Sequence, residues 1–305
     1  RRQMFTLTSR MSIRGVSFTN FSLPFTMEGR LSGGEYRFSG EDDPQYISAL
    51  MMALPVLRDS SDIVLDSPLR DESTVTMTIN ELARFGILIE KTQDGYHIPG
   101  GQSYGSVRRL TVENDWALAN MWVTAGVFSA RQGGRVEIEG LSPDSPQLYR
   151  NTAPVYALLS QDFSEINIDC SLFPNMATVF GTAAAFKGAV LRLSGFPQLR
   201  MKDSDRFKNM EQLVAGLGGS CVVHEDGIDV IGNPEADYSD ALLDTMGDPW
   251  MFMSIAASAA LLRYPVRVAD EGGADKLYRR FLNDYSYLGG RYEVFDFFDS
   301  PAQKE

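Results

Sequence analysis

Apolar residues along the chain follow two rhythms that alternate. PQYISALMMALPVL (44–57), DWALANMWVTAGVFSA (115–130), MATVFGTAAAFKG (176–188) and DPWMFMSIAASAALLRY (248–264) are apolar nearly all round, the mark of helices buried on every side. Each is followed by a short strand-like run: SDIVLDS, GRVEIEGL, AVLRLSGF and PVRVAD. Next comes an amphipathic helical stretch with one polar face: TMTINELARFGILIEK, LYRNTAPVYALLSQ, SDRFKNMEQLVAGLGG and KLYRRFLNDYSYLGG. Strand-like segments close each set: GYHIPG, EINIDC, SCVVHEDGIDVIG and RYEVFD. The pattern predicts four segments of roughly 60–75 residues, each running helix, strand, helix, strand and strand. In ARFG, AGLGG and SYLGG a glycine stands just past an amphipathic helix, where a left-handed C′ residue belongs. Gly, Pro, Asn and Asp mark unit boundaries near 98–106, 171–174 and 233–248. A repetitive α/β fold is expected.

Composition narrows the function classes. With 305 residues, 44% of them hydrophobic and 22% charged, the chain has the make-up of a globular protein large enough for about two domains. No apolar run is long enough to span a bilayer and no signal-peptide pattern opens the chain, so a cytoplasmic protein without a membrane partner is expected. The net charge of −12 argues against a nucleic-acid partner, since phosphate backbones are held by clustered Lys and Arg. Two cysteines without CxxC spacing and two histidines make a Cys/His metal site improbable; no metal and no cofactor are expected.

One segment departs from the acidic background. LRMKDSDRFKNM (199–210) packs Arg200, Lys202, Asp203, Asp205 and Arg206 into seven residues. Two readings fit it. Ser204 or Asp203 caps the helix that starts near Asp205, or the cluster is an anion-holding and proton-transferring part of a site.

LRMKDSDR is similar to a pattern Leu-Arg-x-Lys-Glu-Ser/Thr-Asp-Arg, and with the repeated units it resembles the enolpyruvyl transferases. The resemblance is closer to the 5-enolpyruvylshikimate-3-phosphate synthases than to their UDP-N-acetylglucosamine relatives. It implies repeated β-α-β-α-β-β units forming two inside-out α/β domains, with about four of the family's six units here. Residues 1–105 would be a partial second domain and 106–305 a three-unit domain. The implied reaction adds an acceptor hydroxyl to phosphoenolpyruvate and expels phosphate. It needs a proton donor to the methylene, a base for the hydroxyl, and cations for carboxylate and phosphate.

By resemblance, Asp203 replaces the glutamate credited with proton transfer, Lys202 contacts the reacting centre, and Arg206 clamps the phosphoenolpyruvate carboxylate, with Arg200 beside it. FPNMATVFGTAAAF (173–186) resembles a Pro-Asp motif in which the aspartate is the base; here that position is Asn175, which also reads as a helix N-cap. ADKLYRRF keeps Lys276 as a further cation, and VENDWALANMW keeps Asp115. EDDPQYISAL keeps Gln45, but Asp43 and Pro44 stand where the family has phosphate-binding serines. Asp71, Glu72 and Thr74 stand at a Ser-Lys-x-Tyr stretch, and Pro249-Trp250 follow Asp248 where His-Arg would.

The resemblance therefore implies small anionic substrates, phosphoenolpyruvate and a shikimate-3-phosphate-like acceptor, with a reduced set of catalytic groups. The alternatives are an inactive homologue that binds a ligand or partner, and a transferase with a different acceptor. Missing units imply self-association or another chain that supplies them.

Overall fold

The computed structural model describes residues 4–69, 71–130, 133–161, 163–201, 205–270 and 272–295. It has two compact units, Arg1–Glu113 with Ser142–Leu148, and Asn114–Leu141 with Tyr149–Glu305.

The first unit opens with α1 (Phe5–Ser12) and an antiparallel ribbon of β1 (Val16–Phe18) and β2 (Met27–Gly29). Then follow β3 (Gly34–Phe38), α2 (Pro44–Ala53), β4 (Ser61–Leu65), α3 (Glu72–Arg84), β5 (Glu90–Thr92) and β6 (Gly95–Ile98). The sheet runs β3-β4-β6-β5, with β3 parallel to β4 and β6 antiparallel to both its neighbours. Alternation along β3 turns Tyr36 and Phe38 inward to meet Ile63, Tyr96 and Ile98 from neighbouring strands. Ile47, Leu50 and Met51 of α2 and Val75 and Leu82 of α3 complete this core.

In the second unit α4 (Trp116–Ser129) and α5 (Ala153–Leu159) precede a second sheet. Its elements are β7 (Glu165–Asp169), α6 (Met176–Ala184), β8 (Val190–Ser194), α7 (Arg206–Gly216), β9 (Ser220–Val223) and β10 (Ile228–Ile231). The order β7-β8-β10-β9 and the strand directions repeat those of the first sheet, strand for strand. A third β-α-β follows: β11 (Leu242–Asp244), α8 (Pro249–Ala257) and β12 (Arg267–Ala269), the strands parallel. α9 (Gly273–Leu277) and α10 (Phe281–Tyr287) end the described chain. All nine residues of α6 are buried, as its unbroken apolar sequence requires, and α4, α7 and α8 pack around it.

The repeat expected from the apolar rhythm is thus present as mixed α/β units, and its glycines behave as their positions imply. Gly86, Gly218 and Gly289 follow α3, α7 and α10 with φ of 79°, 80° and 95°. Some expectations are corrected. GRVEIEGL and the described part of RYEVFD (291–295) are irregular, because alternation forms a strand only where a neighbour takes up the backbone hydrogen bonds. KLYRRFLNDYSYLGG is two short helices, broken at Tyr278, whose backbone (φ −138°, ψ 81°) leaves the helical region. There the Tyr278 hydroxyl reaches Asp284.

Candidate functional site

Helix N-termini carry backbone N–H groups with no partner inside the helix, so they either bind anions or are capped. Among the described residues an aspartate caps five of them. Asp43 accepts from Gln45 N (2.9 Å) on α2, and Asp71 from Ser73 N (3.0 Å) and Thr74 N (3.4 Å) on α3. Asp115 accepts from Ala117 N (2.7 Å) and Leu118 N (3.0 Å) on α4. Asp205 accepts from Phe207 N (3.1 Å) and Lys208 N (3.4 Å) on α7, and Asp248 from Trp250 N (2.9 Å) on α8.

Of the described helices without a side-chain cap (α1, α5, α6, α9 and α10), α6 is the one whose start meets Arg206. Asn175 occupies its N-cap position but makes no side-chain cap bond, which corrects the capping expectation. Its amide oxygen instead accepts from Arg206 Nη1 at 2.5 Å, while its backbone N–H donates to the Tyr149 hydroxyl at 3.2 Å. Arg206, the first residue of α7, also donates Nε to Asp248 Oδ2 at 2.6 Å. The pair is buried, the side chains 10% and 4% exposed. The guanidinium carbon lies 5.9 Å from the Trp250 ring centre, and the second Asp248 oxygen is the α8 cap. One guanidinium thus laces together the starts of α6, α7 and α8.

Lys276 adds a second cation. An added methyl at Gly247 would lie 3.7 Å from Lys276 Nζ, so this exposed ammonium stands beside the residue preceding Asp248. Arg206 and Asp248 cancel in charge, and Lys276 shares the neighbourhood of Gly247 with the Asp270 carboxylate, which accepts from Gly273 N at 2.9 Å. Among the described residues, Asp248 and Asn175 engage two of Arg206's N–H groups, which leaves Nη2 available to an anion.

The other expected site residues are placed differently. Arg200 donates to the backbone carbonyls of His224 and Glu225 and its guanidinium stacks 4.1 Å from the Phe207 ring centre. Gln45 is exposed on the first turn of α2, and Asp115 is the α4 cap. Lys202 and Asp203, with Ser204, lie outside the described residues. The residues that spacing did not single out are Tyr149, which lies 26 positions before Asn175 with no motif around it, and Asp248 as the arginine's partner. Among the described residues no group of three or more His, Cys, Asp or Glu is placed to hold a metal ion, and no helix is long and apolar enough to cross a membrane.

Repeated β-α-β-α-β-β units place this chain in the enolpyruvyl-transferase fold. A solved EPSP synthase from Acinetobacter baumannii superposes with a TM-score of 0.70 at 17% identity, covering 95% of this chain and 71% of that one. The enolpyruvyl transferase NikO from Streptomyces tendae gives 0.67 at 15% identity, covering 95% and 72%. The chain belongs to the EPSP synthase (3-phosphoshikimate 1-carboxyvinyltransferase) family, whose model matches residues 13–285. The 3-phosphoshikimate 1-carboxyvinyltransferase of Methanocorpusculum labreanum is 28% identical over 290 residues, covering 90% of this chain and 67% of the relative. That of Clostridium acetobutylicum is 28% identical over 277 residues, covering 88% and 64%. The chain spans about two thirds of the length of these relatives.

Proposed function

We propose that this chain binds a carboxylate-bearing anion of the phosphoenolpyruvate type at the Arg206–Lys276 corner and does not by itself pass an enolpyruvyl group to shikimate 3-phosphate. The observation that carries this reading is the Asn175–Arg206 hydrogen bond at 2.5 Å. Enolpyruvyl transfer requires a base to take the acceptor hydroxyl's proton as oxygen attacks C2 of phosphoenolpyruvate, while an acid protonates C3 and phosphate then leaves. An amide takes no proton at neutral pH, and this one is committed to holding the arginine. Loss of general-base assistance costs about 100- to 10,000-fold.

A second reading, transfer to a different acceptor, draws on Asp43 and Asp71. Their carboxylates already satisfy N–H groups at the starts of α2 and α3, and both repel a phosphate. That reading requires an acceptor without a phosphate at that position.

Calorimetric titration followed by a phosphate-release assay tests the proposal. The expected result is saturable binding of phosphoenolpyruvate, weakened by Lys276→Ala, with no phosphate released when shikimate 3-phosphate is added. Turnover on the order of 1 s⁻¹, within the range of ordinary enzymes, overturns the proposal, and so does failure to bind phosphoenolpyruvate.

A further inference from the structure

The second unit has another concavity, of about 230 Å³, which shares no residue with the Arg206 corner. Leu118 and Ile138 give it an apolar lining, Trp122 and Tyr278 contribute aromatic rings, and Asp115 and Glu139 bring two exposed carboxylates. Among the described residues no lysine, arginine or histidine lines it. The volume lies below the ~300–1,000 Å³ of drug-sized sites, so any occupant is small.

The polar atoms of both rings are used within the protein. Trp122 Nε1 donates to the Tyr278 hydroxyl at 3.3 Å, and that hydroxyl donates to Asp284 at 2.7 Å. What the rings offer the cavity is therefore aromatic carbon. Trp122 is also stacked on Phe281, centroids 4.9 Å apart, which fixes its plane. Asn114 Nδ2 donates to Gly140 O at 2.9 Å and ties the α4 side of the cavity to the 138–141 side.

Charge decides the class of ligand. The start of α4 contributes about half a positive charge and the two carboxylates contribute two negative ones, a sum of about −1.5. An anion is repelled, and a neutral molecule gains apolar contact alone. A cation carrying apolar substituents gains that contact together with carboxylate attraction, to which a neighbouring aromatic ring adds where its face is reached.

We propose that this cavity binds a small organic cation of the alkylammonium type, its nitrogen toward Asp115 and Glu139 and its carbon groups on Trp122 and Leu118. Choline chloride is the probe, titrated into the 305-residue chain at constant ionic strength and followed by NMR of the tryptophan indoles. Its neutral isostere 3,3-dimethylbutan-1-ol is the second probe. Choline is expected to bind saturably and move the Trp122 indole resonance, with the neutral alcohol about five- to ten-fold weaker. Glu139→Gln, and Asp115→Asn, which keeps a capping oxygen, should each weaken choline roughly three-fold. Absence of saturation, equal binding of the alcohol, or an unmoved Trp122 resonance overturns the proposal.

Discussion

Arg206 shows how one side chain acquires two duties. Its charge is buried, which is costly unless paired, and Asp248 supplies the pair while Asn175 satisfies a further N–H. Removing one partner of a buried ion pair costs about 3–5 kcal/mol, because the other charge is left unpaired in a poorly solvated place. Asp248→Ala also removes the α8 cap, so a loss of that size is expected in urea denaturation. Asp248→Asn retains both a capping oxygen and an acceptor for Nε, and is expected to cost clearly less. Equal midpoints for the two variants would show that the pairing contributes nothing. Both Asn175 and Arg206 stand out in the sequence by resemblance, at positions 31 residues apart. Their contact does not, since it depends on how α6 and α7 are packed.

At the scale of elements, β6 is joined to α3 by a polar contact at the edge of an apolar core. The buried Tyr96 hydroxyl donates to Glu72, which also pairs with Lys91 of β5. Burial first, then the charge and hydrogen bond of Glu72, push the Tyr96 phenol from 10.0 up to about 12. The folded value lies above the unfolded one, so the neutral phenol's contribution to stability is complete below pH 10 and is lost as pH rises through about 12. Tyr96→Phe should therefore flatten the fall in stability across that alkaline window; an unchanged slope in denaturation at stepped pH would refute it. Helix identity and helix ends were largely legible in the apolar rhythm and the C′ glycines, because both are local. GRVEIEGL was misleading for the complementary reason: its alternation is local, but strand formation depends on a neighbour.

For the whole molecule, a net charge of −12 surrounds the Arg206–Lys276 corner, where Arg206 is neutralised by Asp248 and Lys276 is left exposed. Large apolar side chains also remain exposed, among them Ile13 (73%), Tyr287 (89%) and Val294 (77%). Exposed apolar surface favours association, so self-association that increases with concentration is expected in sedimentation velocity. A single monomer boundary from micromolar to near-millimolar concentration would count against it.

The sequence by itself determined the repeat, the buried helices, the glycine turns after α3, α7 and α10 and the family, because these follow from periodicity and motifs carried along the chain. Only the tertiary structure decided what the charged residues do. It ties Arg200 to backbone carbonyls, sets aspartates on helix starts, and closes Arg206 between Asp248 and Asn175. Electrostatic roles are fixed by distance and burial, and neither is a property of neighbours in sequence.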